Sequence, residues 1–189
     1  MFFAKRRDHP LNKKLLWITR TGVLLALLIT LQAITKPLGQ LVTGSCVNTV
    51  LAIAALVTGL PGGLTIALCS PILAYLLGIA PQILTVPAIM IGNGVFVTVL
   101  YFLGSRDSVV LRLSAWLASA FSKFITLYAL VSWLLCGVLA QPLLEAGVLK
   151  PPMLTALPAT FSWPQLFTAL IGGGIALMIA PILKKVDRT

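Results

Sequence analysis

Six stretches of this 189-residue chain run for about 18 residues or more with few charges: 15–35, 41–60, 62–79, 83–103, 109–140 and 164–183. Each is long enough to cross the roughly 30 Å hydrocarbon core of a bilayer as a helix. In that medium a segment must satisfy its own backbone N–H and C=O groups, which a helix does and an isolated strand does not. The expected architecture is therefore an all-α membrane protein, a six-helix transmembrane bundle formed by one integral domain over residues 1–189. Composition agrees. Hydrophobic residues make up 59% and charged residues 10% of the chain, against about 25% charged in soluble domains. The basic segment from Lys5 to Lys14 precedes an apolar stretch of about 20 residues that lacks a clear small-residue cleavage site, so a cleaved secretory signal is not expected.

The net charge of +10 raises the question of nucleic acid, but its placement argues against that partner. Lys5, Arg6, Arg7, Lys13 and Lys14 precede the first span, and Lys184, Lys185 and Arg188 follow the last. Basic residues at such flanks mark the cytoplasmic side and contact the anionic lipid bilayer. With the N-terminus inside, eleven of the fourteen Lys and Arg fall at the inner side, Lys36 and Lys150 at the outer side, and Lys123 within a span. Both termini are thus expected to be cytoplasmic. Cys46, Cys69 and Cys136 are isolated within apolar runs, and the one histidine, His9, is far from all of them in sequence. Neither a metal site nor a disulfide framework is expected, and no cofactor.

The segment KPLGQLVTGSCVN, from Lys36 to Asn48, joins the first two spans. It gathers a cation, amides and hydroxyls where unsatisfied polar atoms are costly. Further along, Leu60-Pro61-Gly62-Gly63 reads as a tight turn between antiparallel spans, Pro71 as a kink, and Gly92-Asn93-Gly94 as a helix break. The fifth span is longer than the bilayer requires, so it should tilt or project. The connection 141–163, with Pro142, Pro151, Pro152 and Pro158, reads as an irregular lid. Gly172-Gly173-Gly174 would admit a close neighbour.

Depth follows from a rise of about 1.5 Å per residue. Gln32, Lys36, Gln40, Thr43, Ser45 and Asn48 fall in the outer part of the first two spans, and Asn93 and Lys123 near the midplane. Trp163 falls on the last outer connection. The polar groups gather in the outer half above an apolar inner half, as a small-molecule site open to the outside requires. The substrate-binding set is Lys36, Gln40, Thr43, Asn48, Asn93, Lys123 and Trp163. An intramembrane lysine is costly to keep and is functional by default. Asn48 and Asn93 suit helix-to-helix bonding as well as ligand contact, Thr43 and Ser45 can bond their own helix backbone, and Lys36 and Trp163 suit interfacial anchoring. The lysines suit an anionic ligand, and Trp163 or Phe161 a ring.

Catalysis is disfavoured. The carboxylates are Asp8, Asp107, Glu145 and Asp187, none within a span, with no acid/base pair and no phosphate-cradling loop. An ion-coupled carrier is disfavoured for the same lack of an intramembrane acid. Gly22, Ala26 and Thr30 at four-residue spacing place small side chains on one face of the first helix. That face suits either packing within the bundle or a docked partner.

The segment from Gly39 to Asn93, GQLVTGSCVN through LTVPAIMIGN, with six spans and an outward polar pocket, resembles the substrate-binding (S) component of an energy-coupling factor transporter of bacteria. The resemblance implies capture of a vitamin or similar micronutrient outside a bacterial cell membrane. It implies partnership with a transmembrane coupling protein and two cytoplasmic ATPases, and toppling of the subunit to release solute inward. Gly22, Ala26 and Thr30 would then match the family's AxxxA-like docking face, and the connection with Lys36 and Gln40 its outer lid. The alternative expectation is a structural or assembly subunit of a membrane complex, whose polar residues only join helices.

Overall fold

A computed structural model describes residues 10–80, 82–104 and 108–186, with side chains over 13–80, 82–104 and 108–183. The basic flanks used for orientation, Lys5 to Arg7 and Lys184 to Arg188, and Arg106 with Asp107 lie outside the described side chains. The described residues form helices α1 (Pro10–Thr35), α2 (Gln40–Val57), α3 (Gly59–Leu76), α4 (Val86–Gly104), α5 (Val109–Leu127), α6 (Ala140–Glu145), α7 (Met153–Phe161) and α8 (Trp163–Val186). Short 3₁₀ turns at Lys36–Leu38 and Ile83–Thr85 precede α2 and α4, and a π-helix, Tyr128–Val138, extends α5. Six helical segments are long and apolar enough to cross a membrane, and no strand occurs among the described residues.

Lipid tails are as apolar as leucine, so these helices are held by close packing and polar contacts rather than by exclusion of water. Glycines set the closest approaches. A Cβ on Gly172 of α8 would lie 2.5 Å from Ser45 O and 2.7 Å from Thr49 N of α2. Only hydrogen fits between those backbones, and α2 and α8 form the most extensive helix pair. Gly173 receives the Trp116 indole of α5, whose Nε1–H donates to Leu170 O at 2.9 Å. Gly92 of α4 makes room for Leu127 of α5, and Gly63 of α3 for Val97 and the Ala55 backbone. Helix α2 is thus central, with its Val50–Ala55 segment buried.

Three local expectations are corrected. The reversal after α2 lies at Thr58-Gly59, with Gly59 at φ 77°, and Pro61 belongs to the first turn of α3. Proline is tolerated there because a first-turn N–H has no intrahelical acceptor. Helix α4 continues unbroken through Gly92-Asn93-Gly94, since those glycines admit a neighbouring helix rather than unwind the backbone. The connection 141–163 is largely helical: Pro142 lies in the first turn of α6 and Pro152 caps α7, positions compatible with helix starts. The long fifth span continues past α5 as a π-helix, whose i→i+5 bonding winds more residues into each turn. Pro71 lies inside a continuous α3.

Helix α1 is peripheral, packed on α2 and α3 through inward residues such as Leu28. A second apolar cluster of Ala88, Leu127, Val131, Leu149, Leu157 and Phe161 joins the π-helix, the 139–152 segment and α7. It holds α7 against the bundle, beside the cavity described next.

Candidate functional site

At one end of the bundle a cavity of about 320 Å³ is enclosed by the α1–α2 hinge, the α3–α4 turn, the start of α4 and α7. Sequence places its residues at the ends and starts of successive spans: Gln32 and Lys36, then Gln40 and Thr43, then Ile79, Gln82 and Thr85, with Phe161 closing the last side. Lys36, Gly39 and Gln40 are exposed, so the cavity reaches the surface at this end. The start of α1 and the end of α8 meet at the opposite end, where Thr19 and Arg20 share a groove with Leu183.

Lys36 Nζ donates to Gly78 O at 3.0 Å, so the hinge is strapped to the turn across the cavity rim. Gly78 has φ 70°, a left-handed conformation that glycine adopts without the Cβ clash. Thr85 Oγ1 donates to Gln82 O at 3.0 Å, and Thr160 Oγ1 to Ala156 O at 2.8 Å. Gln165 Nε2 reaches back from α8 to Thr160 O at 3.2 Å, fixing the end of α7. Two buried polar atoms of the lining, Thr43 Oγ1 and Gln82 Oε1, have no protein hydrogen-bond partner.

A second polar centre lies deeper. Lys123 of α5 donates through Nζ to Asn48 Oδ1 of α2 and to Asn93 Oδ1 of α4, both at 2.6 Å. Asn48 Nδ2 donates to Thr168 Oγ1 of α8 at 3.2 Å, and Thr168 Oγ1 donates to Gln165 O at 3.0 Å. The Phe96 ring centroid is 5.5 Å from the ammonium, within cation–π range. Asn48 and Asn93 are each 1% exposed, Lys123 3% and Thr168 0%. The lysine thus joins three helices and Asn48 adds a fourth, α8, with both amides turned so that their oxygens face the cation. Ile89 lines the cavity and Asn93 follows it by one helical turn on the same face, so the network lies beneath the cavity floor.

The expected site residues therefore divide. Lys36, Gln40 and Thr43 line the cavity. Asn48, Asn93 and Lys123 bond one another in the closed network. Trp163 is 62% exposed and stacks on Phe124, with ring centroids 5.3 Å apart, outside the cavity lining. Gly22, Ala26 and Thr30 are all exposed, and nothing lies within 4 Å of a Cβ built on Gly22. Ser45 Oγ donates to Leu41 O at 2.7 Å, its own helix, whereas Thr43 Oγ1 finds no such partner.

Sequence reasoning passed over Gln82, Thr85, Thr160, Gln165 and Thr168. Gln82 read as the residue just before the fourth span, Thr85 as part of that span's first turn and Thr160 as part of an irregular connection. The signal for the last two was the three-residue spacing of Gln165 and Thr168 at the start of an apolar span, which places both on one helix face. Cys46, Cys69 and Cys136 are free thiols. Comparison with family models, curated proteins and solved structures found no match for this chain.

Proposed function

We propose that this chain is the small-molecule-binding subunit of an ATP-driven importer of the energy-coupling factor type, in a bacterial cell membrane, and that it has no catalytic activity of its own. The observation that carries the reading is the 320 Å³ cavity at one end of the bundle, with Lys36, Gln40, Thr43, Gln82 and Phe161 in its lining, above a floor closed by helix packing. Cavities of this size are at the small end of ligand sites, which suits a vitamin-like solute. The concentration of Lys and Arg at the opposite end supports an extracellular position for the cavity, by the rule that basic flanks stay in the cytoplasm.

Import against a gradient needs an energy source, and no Asp or Glu occurs within the described spans. The reading assigns that role to a transmembrane coupling protein with two cytoplasmic ATPases. The exposed Gly22, Ala26 and Thr30 face on peripheral α1 supports a docking surface, because small side chains let a partner helix approach closely. The structural-subunit reading draws on a different observation. Asn48, Asn93 and Lys123 are engaged with one another and act as helix-joining groups. Both readings predict a complex, and ligand separates them.

Co-expression with a coupling protein and its two ATPases, followed by affinity purification and mass spectrometry of bound small molecules, tests the proposal. A stable complex carrying one ring-containing metabolite is expected. Failure of the chain to associate with any such module overturns the importer assignment, and a complex that never contains or responds to a small molecule supports the structural subunit.

A further inference from the structure

We propose that the cavity takes a small ring-bearing monocarboxylate, its carboxylate held at the rim by Lys36 and its ring seated against Phe161. This rests on the small-molecule-binding role proposed above and names the class of molecule. Among the described lining residues Lys36 is the one charged group. A lysine ammonium carries three N–H donors, and the bond to Gly78 O at 3.0 Å fixes it across the rim while leaving two for a ligand. Of the lysines that the sequence offered to an anion, packing leaves only this one at the cavity. Lys123 is held by Asn48 and Asn93 beneath the floor, and Lys150 is outside the lining.

The neighbouring wall agrees in sign. No side chain caps α2, and its N-cap, Gly39, is in the lining with nothing within 4 Å of a Cβ built on it, so the positive end of that helix lies at the same wall as Lys36. Gln32, one turn before Lys36, and Gln40 bring amide N–H groups to it as well. An anion entering from water exchanges its hydration for these donors, whereas a cation would meet a like charge and, among the described lining residues, no carboxylate. One lysine balances one negative charge, which favours a carboxylate over a phosphate ester carrying about 1.5 to 2. Ile89, Leu157 and Phe161 supply an apolar wall. Phe161 is 7% exposed and belongs to the second apolar cluster, so packing holds its ring in place for another to stack on.

Acid and amide pairs of matched shape test this on the full chain in nanodiscs by calorimetric titration: nicotinate with nicotinamide, 4-aminobenzoate with 4-aminobenzamide, and indole-3-acetate with indole-3-acetamide. At least one acid should bind, about tenfold tighter than its amide, the equivalent of one hydrogen bond to a charged group. Because Lys36 is exposed, that margin should narrow as salt is raised. Lys36→Gln should bring the acid level with its amide, and Lys36→Arg should restore the margin. Lys150→Gln, which removes a charge outside the lining, should leave the margin as in the parent. An unchanged melting temperature without probe shows that each variant is folded. No binding by any acid, preference for an amide, a margin indifferent to salt, or one that survives Lys36→Gln overturns the proposal. Those outcomes leave the importer reading standing if the complex with the ATPase module still forms. Lys36-dependent binding of an acid without that complex overturns the importer assignment and supports this site.

Discussion

Asn48→Ala removes two hydrogen bonds at once from the most deeply buried polar centre of the bundle. The substitution deletes the 2.6 Å acceptor of the Lys123 ammonium and the 3.2 Å donor to Thr168. A hydrogen bond to a charged group contributes about 1.5–3 kcal/mol and a neutral one about 0.5–1.5, so the expected loss is about 2–4.5 kcal/mol. Lys123→Met forfeits both Lys123 bonds but also relieves the cost of holding an ammonium out of water, several kcal/mol. These terms oppose each other, so Lys123→Met should destabilise less than Asn48→Ala. In the Lys123→Met background no cation is left short of an acceptor, and Asn48→Ala should cost about 1.5–3 kcal/mol less than in the parent. Neutral hydrogen bonds between transmembrane helices average about 0.6 kcal/mol, well below that coupling. The measurement is a double-mutant cycle by reversible unfolding in mixed micelles. Thermal unfolding provides a second reading: at roughly 2–4 °C per kcal/mol for a chain of this size, Asn48→Ala should lower Tm by about 4–18 °C. Additivity of the two substitutions to within about 0.5 kcal/mol would refute the network as the joint between these helices.

Gly172→Ala should cost about 1–3 kcal/mol by overpacking, because its Cβ meets the backbone of Ser45 and Thr49 rather than a flexible side chain; Gly22→Ala, with open space around its Cβ, should leave Tm within a degree or two. Gly22→Leu should leave the isolated subunit folded yet reduce recovery of the ATPase module in a pull-down, and undiminished recovery would remove α1 as the docking face. Phe161→Ala should weaken any ring-containing probe that binds, whereas Trp163→Ala, on a residue outside the cavity lining, should leave its Kd unchanged in the same titration.

How far a residue's place was legible depended on whether the signal was local. The spans were legible because the hydrocarbon requirement acts on each segment separately, and all six occur as long apolar helices. The hinge at Lys36 to Thr43 was legible as a polar cluster at a span boundary, but that Lys36, Gln40 and Thr43 line one cavity rather than anchor at the interface or bond their own helix depended on the neighbouring helices. The Pro61 turn was misread because proline and glycine favour both a turn and the first turn of a helix, and the choice between them fell one residue pair upstream, at Thr58-Gly59. Gly92-Asn93-Gly94 was misread because a glycine that admits Leu127 from α5 is identical in sequence to one that breaks a helix.

By itself, the amino-acid sequence determined the solvent this chain folds in, the number of its spans and the end of the bundle at which polar groups collect. Those follow from segment length and polarity, which need no knowledge of neighbours. Tertiary packing alone decided what each polar group does. It took Lys123, Asn48 and Asn93 into a network with one another and left Thr43 and Gln82 without protein partners beside a cavity. The physical reason is that a hydrogen bond needs two groups within about 3 Å, and residues 75 positions apart, such as Asn48 and Lys123, reach that distance only once four helices are in contact.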